Sequence, residues 1–332
     1  MVERRCRFRA AGLAWIVMGG CLALLTPGCA QDEYTRAPEF ERLVQLDENH
    51  PGLEPTRLQI LGDSLFVSFN GLPRLEVFDL DLNRLGAVDL KAPEPILPTS
   101  FAVTDSQILV TDHGKGIVAR FDRQGQYLDS FGTLPDGVTR LAPIAVTCFA
   151  GMAYVADMNQ KRVLAISLNT ITDIIETGEM VLTIPGENES PVGFPSTVFV
   201  TDDGRLLVGD AAKGLVRVYT CDGRSIYEFD PVPGLMKMAP QGFAVDGRID
   251  PSVQDEHSAD PSGIRNQGRL HLVDGYNGRV HMFSPLGRYL ASYPEESRLS
   301  GPAGIAVDRP GKRIFVTDPP AGRILVYRYE GD

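Results

Sequence analysis

Leu270-His271-Leu272-Val273-Asp274-Gly275-Tyr276-Asn277-Gly278-Arg279-Val280-His281-Met282-Phe283-Ser284 reads as two short apolar strands around a tight polar turn, with an aspartate closing the first strand. The phrase recurs. Ile108–Asp122 (ILVTDHGKGIVARFD), Tyr154–Leu168 (YVADMNQKRVLAISL), Leu206–Thr220 (LLVGDAAKGLVRVYT) and Ile314–Arg328 (IFVTDPPAGRILVYR) repeat it, and a weaker copy runs through Phe69-Asn70 and Arg74. A repeat of this period belongs to a radial or linear array, in which each unit buries its faces only against its neighbours.

Working outward, each unit opens with a proline before a further strand: Pro55, Pro98, Pro143, Pro195, Pro240 and Pro302, spaced by 43, 45, 52, 45 and 62 residues. We name the four strands of a unit a to d. Strand a, after the proline, is rich in Ala, Ser and Gly, as the crowded centre of a ring requires. Strands b and c are those of the repeated phrase. Strand d follows a Gly-polar turn, as in GQYLDSFG, GRSIYEFD and GRYLASYP. Four short antiparallel strands per unit predict an all-β fold, a six-bladed β-propeller. The sixth unit stops after strand c, and the segment Glu39 to Leu46 alternates like a strand d. It is therefore expected to complete the last blade and close the ring over residues 39–332, removing an open edge. Two insertions stand out: Leu168 to Val181 between strands c and d of the third blade, and Asp246 to Gly268 between a and b of the fifth. Loops of that length are functional or decorative.

Residues 1–28 read as a signal. Four arginines precede an apolar run of 16 residues (Ala10–Leu25), which is short for a span of roughly 20 and suited to secretion. The ending Leu25-Thr26-Pro27-Gly28-Cys29 resembles a bacterial lipobox, although Thr26 stands where that pattern places Leu. The resemblance implies a lipid on Cys29, a polar tether over 29–38, and, with Ala30 after the cysteine, an outer-membrane lipoprotein facing the periplasm or cell surface. Cleavage at Cys21, or near Ala30 without lipid, are the rival readings. Removing the signal leaves 28 basic against 42 acidic residues, a net charge of −14. Such a surface repels nucleic acid, and no basic stripe offsets it. The only tryptophan, Trp15, lies in the signal. Cys148 and Cys221 fall on different blades and are not expected to bridge.

The aspartate ending strand b, the Gly or polar turn and the Arg-aliphatic start of strand c together resemble the NHL-repeat family of six-bladed propellers. Asp157 with Arg162, Asp274 with Asn277 and Arg279, and Asp318 with Arg323 carry the likeness best. Asp112 and Asp210 are followed by Ile117 and Leu215 where Arg is expected, and the first blade has Phe69-Asn70.

Two readings of these aspartates stay open. As turn-holders they accept backbone N–H bonds from two residues on, with the Arg reaching the same carboxylate. As ligands they would ring one mouth of the channel, where Asn70, Asp112, His113, Asp157, Asp210, Asp274, Asn277 and Asp318 could hold Ca²⁺ or another divalent cation. Family resemblance adds amidating-lyase, gluconolactonase and strictosidine-synthase relatives, whose metal or acid/base sites use such a mouth with uneven ligand sets that these positions do not match. His271 and His281 alternate on strands b and c as surface or packed side chains. No HExxH, GxSxG, CxxC or phosphate-cradling loop occurs in its required context. The reading favoured is a non-enzymatic binding or scaffold module for a protein or small-molecule ligand. A metal-dependent hydrolase or lyase, or a detached sensory domain, are the alternatives.

Overall fold

In the computed structural model the described residues are 36–45, 53–133, 138–168, 182–186, 191–229, 232–249, 267–294 and 298–330. The signal, Cys29 and most of the tether therefore lie outside them, as do most of the two insertions.

Strand β1 is Glu39–Gln45. The first blade follows as β2 (Pro55–Leu61), β3 (Ser64–Phe69), β4 (Arg74–Asp79) and β5 (Arg84–Asp89), and the second as β6 (Ser100–Val103), β7 (Gln107–Asp112), β8 (Ile117–Asp122) and β9 (Tyr127–Phe131). The third is β10 (Pro143–Phe149), β11 (Met152–Asp157), β12 (Arg162–Ser167) and β13 (Leu182–Ile184). The fourth is β14 (Pro195–Val200), β15 (Arg205–Asp210), β16 (Leu215–Thr220) and β17 (Ser225–Phe229). The fifth is β18 (Pro240–Val245), β19 (Leu270–Asp274), β20 (Arg279–Phe283) and β21 (Tyr289–Tyr293), and the sixth β22 (Ile305–Asp308), β23 (Arg313–Asp318) and β24 (Arg323–Arg328). Five blades are antiparallel sheets in simple sequence order; the sixth has the order β1-β24-β23-β22. The fold is the expected six-bladed propeller, and β1 closes it with Glu39 opposite Arg328 and Gln45 opposite Arg323.

Strand alternation explains how the ring holds together. Successive side chains point to opposite faces, so each blade presents one apolar face to each neighbour. On β3, Leu65 and Val67 pack with Phe315 and Val326 of the sixth blade, while Phe66 packs with Phe101 and Ile108 of the second. Six apolar clusters result, one between every pair of neighbouring blades. Polar staples between the innermost strands add to them: the Gln59 amide donates to Val103 O (2.8 Å), and Ser196 Oγ donates to Pro240 O (2.6 Å). Cys148 and Cys221 are free thiols, and burial pushes Cys148 up to about 12.

Register also sets the two mouths. Pro143, Pro195 and Pro240 pair with Asp157, Asp210 and Asp274. The b–c turns and the connections from each strand d to the next strand a thus share one mouth, and the a–b and c–d turns the other.

Candidate functional site

The five strand-ending aspartates all lie at the first mouth, and all are buried. Each accepts backbone N–H groups from the connection entering its blade, and all but Asp318, whose turn begins with two prolines, accept from their own b–c turn as well. Asp112 accepts from Leu97 N (2.9 Å) and Lys115 N (3.0 Å). Asp210 accepts from Gly193 N (2.8 Å), Phe194 N (3.1 Å), Ala212 N (3.2 Å) and Lys213 N (3.1 Å), with Arg217 Nε 3.7 Å away. Asp318 accepts from Ser300 N and Gly301 N and is forked by Arg323 at 3.0 and 2.8 Å.

Asp274 is the most heavily bonded. Its Oδ1 accepts from Ala239 N, Tyr276 N and Asn277 N at 3.0–3.1 Å, and its Oδ2 from the Asn277 amide (2.6 Å) and His281 Nε2 (3.1 Å). Burial pushes this carboxyl up, but His281, Asn277 and the backbone donors outweigh it and leave it below the ordinary range.

Asp157 differs. Its Oδ1 accepts from Ala142 N, Asn159 N and Gln160 N, while the buried Oδ2 has no partner. Burial therefore raises its pKa, against the backbone donors and the nearby His113 charge. A raised folded value means that burying this carboxylate costs stability above it and that the cost fades as pH falls toward the ordinary value. Asp157→Asn should accordingly lose no more than about 1 kcal/mol in urea melts. Asp210→Asn should lose about 1–3 kcal/mol, since an amide would turn N–H toward the Gly193 or Phe194 donor.

The Arg five residues on meets the aspartate only in the sixth blade. Arg162 and Arg279 instead donate to the carbonyls of Pro185 and Pro294, just past strands d. In the first blade Phe69 is buried at the aspartate position, and Asn70 binds Glu54 through its amide (2.9 Å) and its N–H (2.9 Å). His113 is exposed, with its backbone N–H on Thr99 Oγ1. Asn277 also donates to Lys237 O (2.8 Å), locking the fifth b–c turn to the incoming connection. Among the described residues no group of three or more His, Cys, Asp or Glu is gathered as a metal would need. The predicted positions share a mouth without forming one ligand cluster.

Three features were not singled out from the sequence. First, the fifth blade buries two polar chains. A carboxylate only accepts, so His281 Nε2 donates to Asp274, leaving Nδ1 to accept from Ser292 Oγ (2.7 Å), which accepts from Tyr289 O–H (2.9 Å). By the same logic His271 Nε2 donates to Asp246 Oδ2 (3.0 Å), and Nδ1 accepts from Tyr293 O–H (3.0 Å). Arg269 Nε joins Asp246 at 2.6 Å, so this chain ties off the stem of the long insertion. Ser292, His281 and Asp274 have the residue types of a hydrolytic relay, but the imidazole is wholly buried and both its nitrogens are engaged. Their arrangement is that of a packed core network.

Second, Ala92, Pro93, Glu94, Ile96, Lys115 and Tyr127 border a cleft of about 510 Å³ beside the first-to-second blade connection, with Lys115 paired to Glu94 at 2.9 Å. Third, a cavity of about 70 Å³ lies at the ring axis, lined by strands a of all six blades and by the Arg57 guanidinium.

No family model matches the chain, and no curated protein matches it in sequence. Solved structures do match in shape. Virginiamycin B lyase from Staphylococcus aureus, solved in a catalytically inactive form with quinupristin, superposes at a TM-score of 0.56 with 15% identity over 87% of this chain and 99% of its own. An auxiliary nutrient binding protein from Bacteroides thetaiotaomicron gives 0.58 with 12% identity over 83% and 69%. The Cps50 (Swd1) β-propeller domain of Myceliophteria thermophila gives 0.56 with 11% identity over 89% and 100%. At these identities the likeness is one of fold.

Proposed function

We propose that this chain is an exported, lipid-anchored propeller of NHL type that works as a recognition module, with the b–c mouth as its contact face. In this reading Cys29 carries the lipid and residues 29–38 are the tether. The observation that carries the reading is where the apolar surface lies. Among the described residues nine large apolar side chains are exposed. Five sit on outer strands d (Phe40, Leu43, Leu85, Leu128 and Ile226), and the other four (Leu97, Val138, Met236 and Tyr276) all belong to the b–c mouth. Met236 is fully exposed and Tyr276 is 70% exposed, and the Asn277–Lys237 bond holds their two loops together. Exposed aromatic and Met anchors on a rigid base are what a binding surface offers, at low ordering cost.

Apart from the unpartnered Oδ2 of Asp157, the aspartate oxygens are engaged, which supports the same reading from the other side. Their oxygens hold the loops that present this face, which leaves little for catalysis. Two of the proteins it resembles in fold are a ligand-bound lyase and a nutrient-binding protein, in keeping with ligand capture on such a ring.

The test is affinity capture from membranes with the lipidated protein. A species retained by the wild type should be lost at least tenfold with Met236→Asp/Tyr276→Ala and kept with the rim change Leu128→Asp, while labelled palmitate should enter the wild type but not Cys29→Ala. Capture that ignores the mouth substitutions, or that fails with the rim one, would sink the contact-face reading.

A further inference from the structure

The residues two past each opening proline form a column at the centre of the ring: Arg57, Ser100, Ala145, Thr197, Gly242 and Gly304. All six line the axial cavity. Five are small and one is an arginine, so the ring makes room at its waist for a single guanidinium. The two glycines let the innermost strands approach closely there. A Cβ on Gly304 would stand 2.7 Å from Thr56 O and 3.0 Å from Arg57 Cα, and one on Gly242 would stand 3.2 Å from Ala303 O.

The guanidinium has no acid. Arg57 Nη1 donates to Gln241 O and to Ala303 O (2.8 Å), reaching across to the fifth and sixth blades. Among the described residues no carboxylate pairs with it, and Nε and Nη2 make no hydrogen bond. Burial lowers its pKa to about 10, with no opposing acid, yet it stays cationic at neutral pH. The chain as a whole carries an excess of negative charge, which makes one half-buried cation with no acidic partner the more unusual. Placing a charge in such a site without a counter-charge is costly.

We infer that the waist of the channel is a binding site for a small carboxylate, held by the Nε and Nη2 edge of Arg57. Those two N–H groups lie side by side in the guanidinium plane and match the two oxygens of a carboxylate, whereas Nη1, spent on carbonyls, fixes the plane. Thr197, on the wall contributed by the fourth blade, has a hydroxyl with no hydrogen bond among the described residues and can donate to the same anion. Ser100 Oγ already accepts from Val146 N (3.3 Å) and keeps its own O–H to give. The volume sets the size. The cavity is small, about 70 Å³, which suits a carboxylate bearing a methyl group. A ligand of four heavy atoms binds no tighter than roughly tens of micromolar, so the site suits a ligand present at high micromolar to millimolar concentration. The site lies inside the ring and does not depend on the mouth acting as a docking face.

The probe is sodium acetate, titrated into the purified chain and followed by calorimetry and by the line width of ¹³C-labelled acetate. One site of millimolar affinity or better is expected. Arg57→Gln should weaken it at least 30-fold and Thr197→Val by three- to tenfold, while the rim change Arg84→Gln should leave it unchanged. Arg57→Lys keeps the charge and loses the fork, so it should also weaken binding at least tenfold. Thermal melts accompany each variant, and Thr197→Val, which conserves shape, carries the test if the Arg57 variants do not fold. Absence of acetate binding up to 100 mM overturns the inference. So does chloride binding as tightly as acetate, or acetate binding that Thr197→Val leaves untouched.

Discussion

Deleting residues 39–45 should prevent the ring from forming, so that the shortened chain is recovered as aggregate or as a species without a cooperative unfolding transition. Strand β1 is joined to the rest of its blade only through β24, yet its contribution reaches two interfaces. Val44 packs in the cluster between the sixth and first blades, and Phe40 stacks edge-on, with ring centroids 5.9 Å apart, against Tyr327 of the cluster between the fifth and sixth. Losing a whole ladder of strand hydrogen bonds at about 1 kcal/mol each, plus the partial packing of Val44 and Phe40 at about 1 kcal/mol each, removes about 6–8 kcal/mol. That is comparable to the entire stability of a typical domain, about 5–15 kcal/mol. The exposed edge of β24 would then offer unpaired backbone to other chains. With no tryptophan after Trp15, unfolding is best followed by far-ultraviolet circular dichroism and tyrosine emission. Point changes within the strand give an internal control. Val44→Asp should cost several kcal/mol, because it places a charge against an apolar cluster. Leu43→Asp should cost less than about 1 kcal/mol, because Leu43 is already exposed. A shortened chain that melts cooperatively within a few degrees of the intact one would show that β1 merely frays at an end.

How much of this was legible follows from which contacts are local. The six phrases, the four strands of each blade and the closing role of the segment after Pro38 are written in alternation, prolines and turn residues. The aspartates as turn-holders were also readable, since their partners two and three residues on are neighbours in sequence: Asp157 with Asn159, Asp274 with Tyr276. Their second set of donors was not. Leu97, Ala142, Gly193, Ala239 and Gly301 precede their aspartates by 15 to 35 residues, and only the register of strands a and b brings them there. The expected Arg-to-Asp pairing failed at Arg162 and Arg279 for a similar reason. The carbonyls of Pro185 and Pro294, placed by strand d, compete for the same guanidinium. Arg57 is the instructive omission. The signal was present, one arginine in a column of Ser, Ala, Thr and Gly, but it becomes visible only when strands a are aligned on their prolines rather than strands b on their aspartates. The two buried histidines of the fifth blade show the opposite limit. Nothing in their spacing separates a surface position from a core one, because their partners Ser292 and Tyr293 come from β21 and Asp246 from the turn after β18.

Asp274→Ala should be the most damaging single substitution at the mouth, lowering stability by about 3–5 kcal/mol while leaving the neighbouring Asp210 site intact. Five donors converge on this carboxylate, and alanine would leave three backbone N–H groups, the Asn277 amide and a buried imidazole without their acceptor. Each unmade buried bond costs about 1–3 kcal/mol, partly relieved by water entering at the mouth. Asp274→Asn separates charge from shape. It keeps an acceptor for one oxygen's partners but turns N–H toward His281 or the backbone, and should fall between alanine and wild type. The pH dependence has a definite sign. Asp274 sits below the ordinary carboxylate range when folded, so its contribution is present above the unfolded value near 4 and is lost as pH falls through the lower, folded value. Urea melts of the wild type between pH 7 and pH 3 should therefore show stability falling toward the acid end, and the fall should be shallower in Asp274→Ala. Because the same carboxylate fixes the turn that carries Tyr276 and, through Asn277, the connection that carries Met236, amide exchange in residues 235–239 and 275–278 should quicken in the variant even where the ring stays folded. If exchange there were unchanged and the melts superposed, the aspartate would be neither the anchor of these loops nor a source of their rigidity.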